Sequence, residues 1–168
     1  TQGLRERFGY TADDVVIIGG SLHGNENEVL IESFKSLATA SSNVSLIIVP
    51  RYPTDVGRIQ NVLGKNGLSS VRKTGMEAGK GSTLGRNEVL VVDTVGELRA
   101  FYGIANIAFV GGSLFYRGSN KGGHNLIEPA FFGIPVLFGP HNSSFADTVC
   151  DLLEANAGIE VADAAELR

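Results

Sequence analysis

The amino-acid sequence predicts an α/β fold in which helices cover both faces of a parallel sheet. Short, continuously apolar segments alternate along the chain with segments whose apolar residues recur at helical spacing. Strands that are apolar on both sides are typical of parallel sheets covered on both faces. The length of 168 residues fits one domain, and we expect residues 1–168 to form it.

The predicted elements follow one another in regular alternation. Each strand is predicted from a short apolar run, the first of which ends at Gly19-Gly20 and the second at Pro50. The strands are residues 15–18, 44–49, 89–92, 107–110, 135–138 and 159–161. The helices are residues 28–40, 56–63, 96–102, 125–132 and 144–155, with a helical tail at the end. Thr54 or Asp55 is a plausible cap for the second helix. Segment 75–87 has four glycines and little periodicity, which predicts a flexible loop.

Ligands of open parallel sheets bind outside the carboxyl ends of the strands. We therefore expect the functional residues in the segments that follow the strands, which are 19–26, 50–53, 93–97, 111–128 and 139–145. Segment 19–26 lacks the glycine spacing of a dinucleotide fingerprint, and segment 75–83 lacks the spacing and the Lys-Ser/Thr pair of a P-loop.

The strongest pattern is Gly111-Gly112-Ser113 followed by Gly122-Gly123-His124-Asn125, with Glu128 one turn into the predicted helix. Paired glycines allow a ligand to approach the backbone, and the amides and dipole at a helix start favour a phosphate. A carboxylate beside them suits the hydroxyl pair of a ribose. The alternative is that the glycines form tight turns and Asn125 caps the helix.

Two further loops carry candidate binding residues. Ser21 and His23, in the loop after the first strand, could meet a phosphate or a sugar, or Ser21 could merely cap the next helix. Arg51, beside Pro50 after the second strand, could neutralise or stack on a ligand, or could be a surface arginine. For Asp93 and Thr94 the capping interpretation is favoured over a binding one.

Composition and charge exclude several classes of function. With 43% hydrophobic and 19% charged residues the chain is globular, and no apolar segment is long enough to span a bilayer. The single cysteine, Cys150, excludes an internal disulfide framework, and the three histidines lack metal-site spacing, so no metal is expected. Seven of the 14 basic residues fall within 51–86, but Tyr52 is the single aromatic residue in this segment, and a nucleic-acid surface requires several aromatic residues that alternate with the charges.

Taken together, these motifs resemble the C-terminal, donor-binding half of the Kdo transferases, which transfer 3-deoxy-D-manno-octulosonic acid (Kdo) from CMP-Kdo to lipid A precursors. The resemblance runs from about Val15 to Val161. It is most specific at Phe109–Ser113, at Gly122–Pro129 and at Ile134–His141. Val49–Arg51 with Pro53, and Asp93–Leu98, add matches in the same order.

The resemblance implies a Rossmann-like domain that forms the C-terminal half of a GT-B glycosyltransferase. It implies that Glu128 holds the CMP ribose, while Pro50 and Arg51 flank the cytosine. The residues implied around the phosphate or the Kdo carboxylate are Ser21, Gly111, Gly112, Ser113 and Asn125. His23, Lys121, Gly123 and His124 would line the same pocket.

The same resemblance implies an inverting glycosyltransferase without a metal or other cofactor, whose catalytic base lies in an N-terminal domain outside this chain. We then expect a fragment that starts at Thr1 and is inactive alone, with CMP-Kdo as its donor, a lipid A precursor reached through the other domain, and no nucleic-acid partner. A bacterial enzyme would act at the cytoplasmic side of the inner membrane, and a plant homologue in a mitochondrion or another organelle.

The segment Ser21–Glu26 and the loop between Ser113 and Gly122 depart from the family pattern, and segment 75–87 looks extended. A GT-B domain that uses a UDP-sugar, or a non-catalytic interaction domain with the same fold, are the alternatives.

Overall fold

The computed structural model describes residues 2–78, 84–85, 87–118 and 122–167. Its strands are β1 (Val15–Leu22), β2 (Val44–Pro50), β3 (Ser69–Arg72), β4 (Glu88–Val91), β5 (Ile107–Val110), β6 (Val136–Phe138) and β7 (Gly158–Glu160). The helices are α1 (Gln2–Arg7), α2 (Glu26–Ala40), α3 (Val56–Lys65), α4 (Lys73–Ala78), α5 (Leu98–Tyr102), α6 (Ile127–Ala130) and α7 (Ala146–Glu154). Short 3-10 turns at Pro53–Asp55 and Ser143–Phe145 precede α3 and α7.

The seven strands form one parallel sheet in the order β3-β4-β2-β1-β5-β6-β7. From β1 the chain first builds outward through β2, and it later returns to the other side of β1 with β5. The strand order therefore reverses between β1 and β5, and a crevice opens there at the carboxyl edge.

Two apolar layers hold helices against the sheet. Successive residues of a strand face opposite sides, so Val16 and Ile18 enter one layer and Ile17 enters the other. The first layer contains apolar residues of α1, α5, α6 and α7, and the second those of α2 and α3. Each large side chain buried this way contributes about 1.5–3 kcal/mol over leaving it in water. The predicted α/β class with helices on both faces is confirmed.

Several predicted boundaries are wrong, for identifiable reasons. β1 continues through Gly19 and Gly20 instead of ending there, because these glycines make room for the side chains of Leu30 and Tyr102. α6 is a single turn, whereas a helix was expected over 125–132. The bond from the Ile127 amide to Asn125 Oδ1 marks its beginning.

The expected loop over 75–87 is wrong where it overlaps α4, while residues 79–83 and 86 lie outside the described residues. α1 and β3 were not predicted. Asp55 precedes α3, but its side chain makes no capping hydrogen bond. No helix among the described residues combines the length and the apolar character needed to cross a membrane.

Candidate binding site at the carboxyl edge

A cleft of about 330 Å³ opens where β1, α5 and α6 meet at the carboxyl edge of the sheet. We call it the switch-point cleft. Its lining residues are Ser21, Arg51, Gly96, Leu98, Arg99, Tyr102, His124, Asn125 and Glu128. A smaller recess of about 90 Å³ shares Ser21 and Arg51 with it and runs along Pro50, Pro53 and Val95. The two spaces together cross the ends of β1 and β2.

Ser21 lies at the mouth of the cleft in a strained conformation. The pairing of β1 with β2 shifts register between Gly20 and Leu22, and Ser21 has φ +54°, which is left-handed backbone. Residues other than glycine pay roughly 1–2 kcal/mol for that conformation. Such strain is concentrated at functional sites, where the surrounding structure holds it in place.

The loop that follows β5 is bound to a buried carboxylate. We call Gly111–Leu114 the β5 loop. The carboxylate is that of Glu26, only 1% exposed at the start of α2. It accepts hydrogen bonds from the amides of Gly112 (2.7 Å), Ser113 (2.9 Å) and Leu114 (2.9 Å), and from the amide of His23 (2.9 Å). The glycine-rich loop was expected to surround an anion, and this anion is part of the protein itself.

Two residues of the β5 loop, Ser113 and Gly111, stabilise its conformation through buried hydrogen bonds and close packing. Ser113 is fully buried, and its hydroxyl donates to the Val110 carbonyl and accepts from the Gly139 amide. A side chain at Gly111 would come within 2.6 Å of Leu22 Cα, so only glycine fits there. In this structure neither residue lines the switch-point cleft, although both were predicted to contact the ligand.

Two histidines connect the β5 loop with the cleft. The rings of His23 and His124 stack with centroids 5.0 Å apart, and their Nε2 atoms are 2.7 Å apart. The Arg117 guanidinium lies 3.3 Å from His23 Nε2 and donates to the Gly112 carbonyl at 3.0 Å. The Gly112 carbonyl also accepts from the Gly123 amide at 2.8 Å, and Gly123 has φ +77°.

Burial and nearby positive charge keep both imidazoles neutral. The pKa of His23 is lowered to about 4 by burial and then by Arg117 and Arg51. The pKa of His124 is lowered to about 4 by burial, by His23 and by the same two arginines, against an opposing effect of Glu26. At neutral pH the pair therefore serves as neutral hydrogen-bonding groups.

The lining of the cleft also contains a carboxylate and two arginines. Glu128 lies in the first turn of α6, and its Oε1 is 3.4 Å from Asn125 Nδ2. Asn125 Oδ1 accepts from the Ile127 amide at 3.0 Å, but the N-cap of α6 is Leu126, so Asn125 does not occupy the expected capping position. Arg51 and Arg99 lie near the aromatic rings of Tyr52 (5.8 Å) and Phe131 (5.0 Å). Arg51, Arg99 and Glu128 all line the switch-point cleft.

The structure brings most of the predicted residues to this edge. Ser21, Arg51, His124, Asn125 and Glu128 line the switch-point cleft, and Pro50 lines the recess beside it. His23 contacts His124 directly, and the Gly123 amide donates to the Gly112 carbonyl, so these predicted residues lie next to the cleft and not in its lining. Lys121, also predicted for this pocket, lies outside the described residues.

Four residues at this edge were not predicted from sequence. They are Glu26, Arg99, Tyr102 and Arg117. The available signal was position, since Arg99 and Tyr102 belong to the helix after the 93–97 segment and Arg117 belongs to the segment 111–128. Among the described residues, no three His, Cys, Asp or Glu side chains lie together as ligands of a metal would.

A second space, of about 540 Å³, lies at the ends of β6 and β7. It is bounded by Arg117, Pro140, His141 and Cys150, among others. The switch-point cleft is smaller, but it is the one that lies at the reversal of strand order and gathers the predicted residues.

No family model matches this chain. A bifunctional glycosyltransferase/methyltransferase of Fusobacterium nucleatum is 34% identical over 160 residues, which make up 95% of this chain and 23% of that protein. The 3-deoxy-D-manno-octulosonic acid transferase of Haemophilus influenzae is 34% identical over 154 residues, or 92% of this chain and 34% of that enzyme. The 3-deoxy-D-manno-octulosonic acid transferase of Aquifex aeolicus is 35% identical over 151 residues, which make up 90% of this chain and 39% of that enzyme. The chain thus spans 23–39% of the length of these relatives.

Solved structures give the same relationship. The C-terminal CMP-Kdo binding domain of WaaA from Acinetobacter baumannii superposes with a TM-score of 0.84 at 25% identity, covering 99% of this chain and 82% of that one. Anabaena Alr3699/HepE in complex with UDP superposes with a TM-score of 0.62 at 15% identity, covering 99% of this chain and 40% of that one. The second match shows the fold alone. The predicted Rossmann-like domain of GT-B type is confirmed.

Proposed function

We propose a function from the premise that this chain is a homologue of the Kdo transferases and corresponds to their C-terminal domain. The chain binds the CMP-linked sugar donor of such an enzyme, and the switch-point cleft holds the nucleotide. The observation that carries this proposal is that Ser21, Arg51, His124, Asn125 and Glu128 line one cleft at the reversal of strand order.

The charges of the cleft suit a nucleoside monophosphate. Arg51 and Arg99 supply fixed positive charge for a phosphate, which the β5 loop amides do not, because Glu26 already binds them. The Glu128 carboxylate can accept hydrogen bonds from the two ribose hydroxyls. Pro50, Pro53 and Val95 give the adjoining recess flat apolar walls, which suit the faces of a pyrimidine ring.

The activity of the whole enzyme belongs to the same proposal. In a GT-B glycosyltransferase the reaction takes place between two domains, and this chain spans a minor part of its relatives' length. We assign no catalytic residue to this chain. A further, N-terminal domain supplies the catalytic carboxylate and the contacts to a lipid A precursor, so the chain alone binds donor without transferring Kdo and requires no metal for binding.

The test is a titration of the 168-residue chain with CMP, followed through its amide NMR spectrum. We expect the signals of residues lining the switch-point cleft to shift, with Glu128 among the most affected. Glu128→Gln should weaken CMP binding by about tenfold, since charge-assisted hydrogen bonds contribute about 1.5–3 kcal/mol each. The matched control is Glu154→Gln on the exposed side of α7, which should bind CMP like the parent chain.

Three results would count against the proposal. If the cleft signals stay unmoved at about 1 mM CMP, a concentration that detects even weak complexes, the nucleotide does not bind there. Tighter binding of UDP than of CMP would favour a UDP-sugar as donor. Absence of binding to any nucleotide would favour an interaction domain that retains only the fold.

A further inference from the structure

Tyr102 is buried and yet lines the switch-point cleft. It is the last residue of α5, only 1% exposed, and its side chain reaches the cleft between β1 and α6. Neither its place in the apolar layer nor its sequence context indicated a polar role. A phenylalanine would fill the same space in that layer, so the hydroxyl calls for a separate explanation.

The hydroxyl itself points to the end of β1. A side chain placed on Gly20 would collide first with the Tyr102 hydroxyl oxygen and then with its Cζ at 2.8 Å. Gly20 directly precedes the strained Ser21, which lines the same cleft as Tyr102. Within the described part of the chain, no hydrogen bond joins this hydroxyl to another protein group; its electrostatic neighbour is Glu128.

The hydroxyl stays protonated. Burial, and secondly the charge of Glu128, raise the pKa of Tyr102 well above its ordinary value. A neutral phenol and a carboxylate that line the same cleft offer a ligand one donor and a set of acceptors. A sugar hydroxyl is both donor and acceptor, so it can satisfy the two groups at once.

We infer that Tyr102 is a further ligand-binding residue. Its hydroxyl donates a hydrogen bond to the oxygen of a ribose hydroxyl of the nucleotide, and the same ribose hydroxyl donates a hydrogen bond to Glu128. Tyr102 and Glu128 together thereby select a ribonucleotide over its deoxy analogue. This inference rests on the proposed function, because it specifies how the switch-point cleft recognises its nucleotide.

The experiment compares Tyr102→Phe with Tyr10→Phe. Tyr10 is a matched control, since it is also buried, has a raised pKa and has a hydroxyl without a hydrogen-bond partner among the described residues, but it precedes β1 at the opposite edge of the sheet. We expect Tyr102→Phe to weaken CMP binding by roughly five- to tenfold. Tyr10→Phe should bind CMP like the parent chain.

The deoxy analogues locate the effect. The parent chain should bind CMP more tightly than 2′-deoxy-CMP or 3′-deoxy-CMP, and for one of the two the difference should shrink in Tyr102→Phe. If Tyr102→Phe binds CMP like the parent chain, or keeps the full discrimination against both analogues, the inference is wrong. If the parent chain itself does not bind CMP, the proposed function fails instead.

A second measurement avoids substitution altogether. With ¹³Cζ-labelled tyrosine, the Tyr102 signal should move when CMP is added while the Tyr10 signal stays in place. A Tyr102 signal that stays in place while the Glu128 amide shifts would show that CMP binds without using this hydroxyl, and would overturn the inference.

Discussion

The β5 loop and the switch-point cleft lie side by side at one edge of the sheet, yet their polar groups are in opposite states. In the β5 loop, three successive backbone amides donate hydrogen bonds to the buried carboxylate of Glu26. In the cleft, Arg51, Arg99 and Glu128 face an open space. Both regions carry the glycines and charges that indicate anion binding in a sequence. Only the second has groups free to bind a ligand from solution.

The difference shows that a nest of backbone amides can serve the fold instead of a ligand. Glu26 accepts from three buried amides of the β5 loop and from the half-buried His23 amide, and thereby fixes the end of β1 to the end of β5. The two strands that border the crevice are thus joined by one side chain. This arrangement holds Ser21 and His124 in place for whatever occupies the cleft.

The largest effect is expected from removing that carboxylate. Glu26→Ala leaves buried amides without acceptors, which should lower the free energy of unfolding by about 3–5 kcal/mol. Urea unfolding of the variant measures the loss. Glu154→Gln, on an exposed face, should change stability by less than about 0.5 kcal/mol. If Glu26→Ala unfolds like the parent chain, the β5 loop does not depend on its internal anion, and the comparison between the two regions breaks down.

An intermediate effect is expected at the floor of the cleft. Gly20→Ala introduces a methyl group against the Tyr102 side chain, with its Cζ only 2.8 Å away, and should cost about 1–3 kcal/mol through overpacking. Gly64→Ala is the control, because the added carbon at Gly64, in α3, would meet none of the described residues within 4 Å apart from its chain neighbours and the backbone of α3 itself. It should gain about 0.5–1 kcal/mol from helix propensity. Thermal unfolding of the two variants should therefore move in opposite directions, and a parallel shift would contradict the packing described at Gly20.

A smaller effect is expected from the histidine pair, which touches both regions. The folded-state pKa of His23 and of His124 is about 4, below the value of about 6.5 in an unfolded chain. Between these values the unfolded chain binds more protons, so stability should be complete above pH 6.5 and should fall as the pH drops toward 4. Solvent screening reduces the size of this effect, since both imidazoles are only about half buried.

The measurement is chemical denaturation at several pH values. In His124→Asn the dependence of stability on pH between 6.5 and 4 should become flatter than in the parent chain. An unchanged slope would show that the pair does not titrate as a buried unit between the β5 loop and the cleft.

Sequence patterns predicted the central strands because these strands are buried on both faces. Val15–Ile18 and Ile107–Val110 are continuous apolar runs, and the structure pairs them side by side. The strand β3 escaped prediction because Ser69–Arg72 is an edge strand whose residues are exposed or half-buried, so it lacks an apolar run. α6 was predicted too long because Asn125 lies before its N-cap, Leu126, and residues 131–133 form a turn after its single helical turn.

The same limits apply to the binding site. The rule that ligands lie at the carboxyl edge selected Ser21, Arg51 and Glu128, because that rule needs only the positions of strand ends. Glu26 was missed because an acidic residue in a first helical turn has an ordinary explanation in the helix dipole. The β5 loop amides that donate to Glu26 lie 86 to 88 residues further along the chain, and no local sequence pattern connects them with Glu26.

The cleft joins Ser21, at the end of β1, to Glu128, in the first turn of α6, which are far apart in the chain. Parallel strands pair only across long crossovers, so the cleft exists only in a chain whose β1 and β5 have paired. A small molecule that needs both residues therefore binds only chains that have completed the sheet, and stabilises them by mass action. The amount of ligand bound per chain at saturation would then measure the fraction of chains in a preparation that are correctly folded.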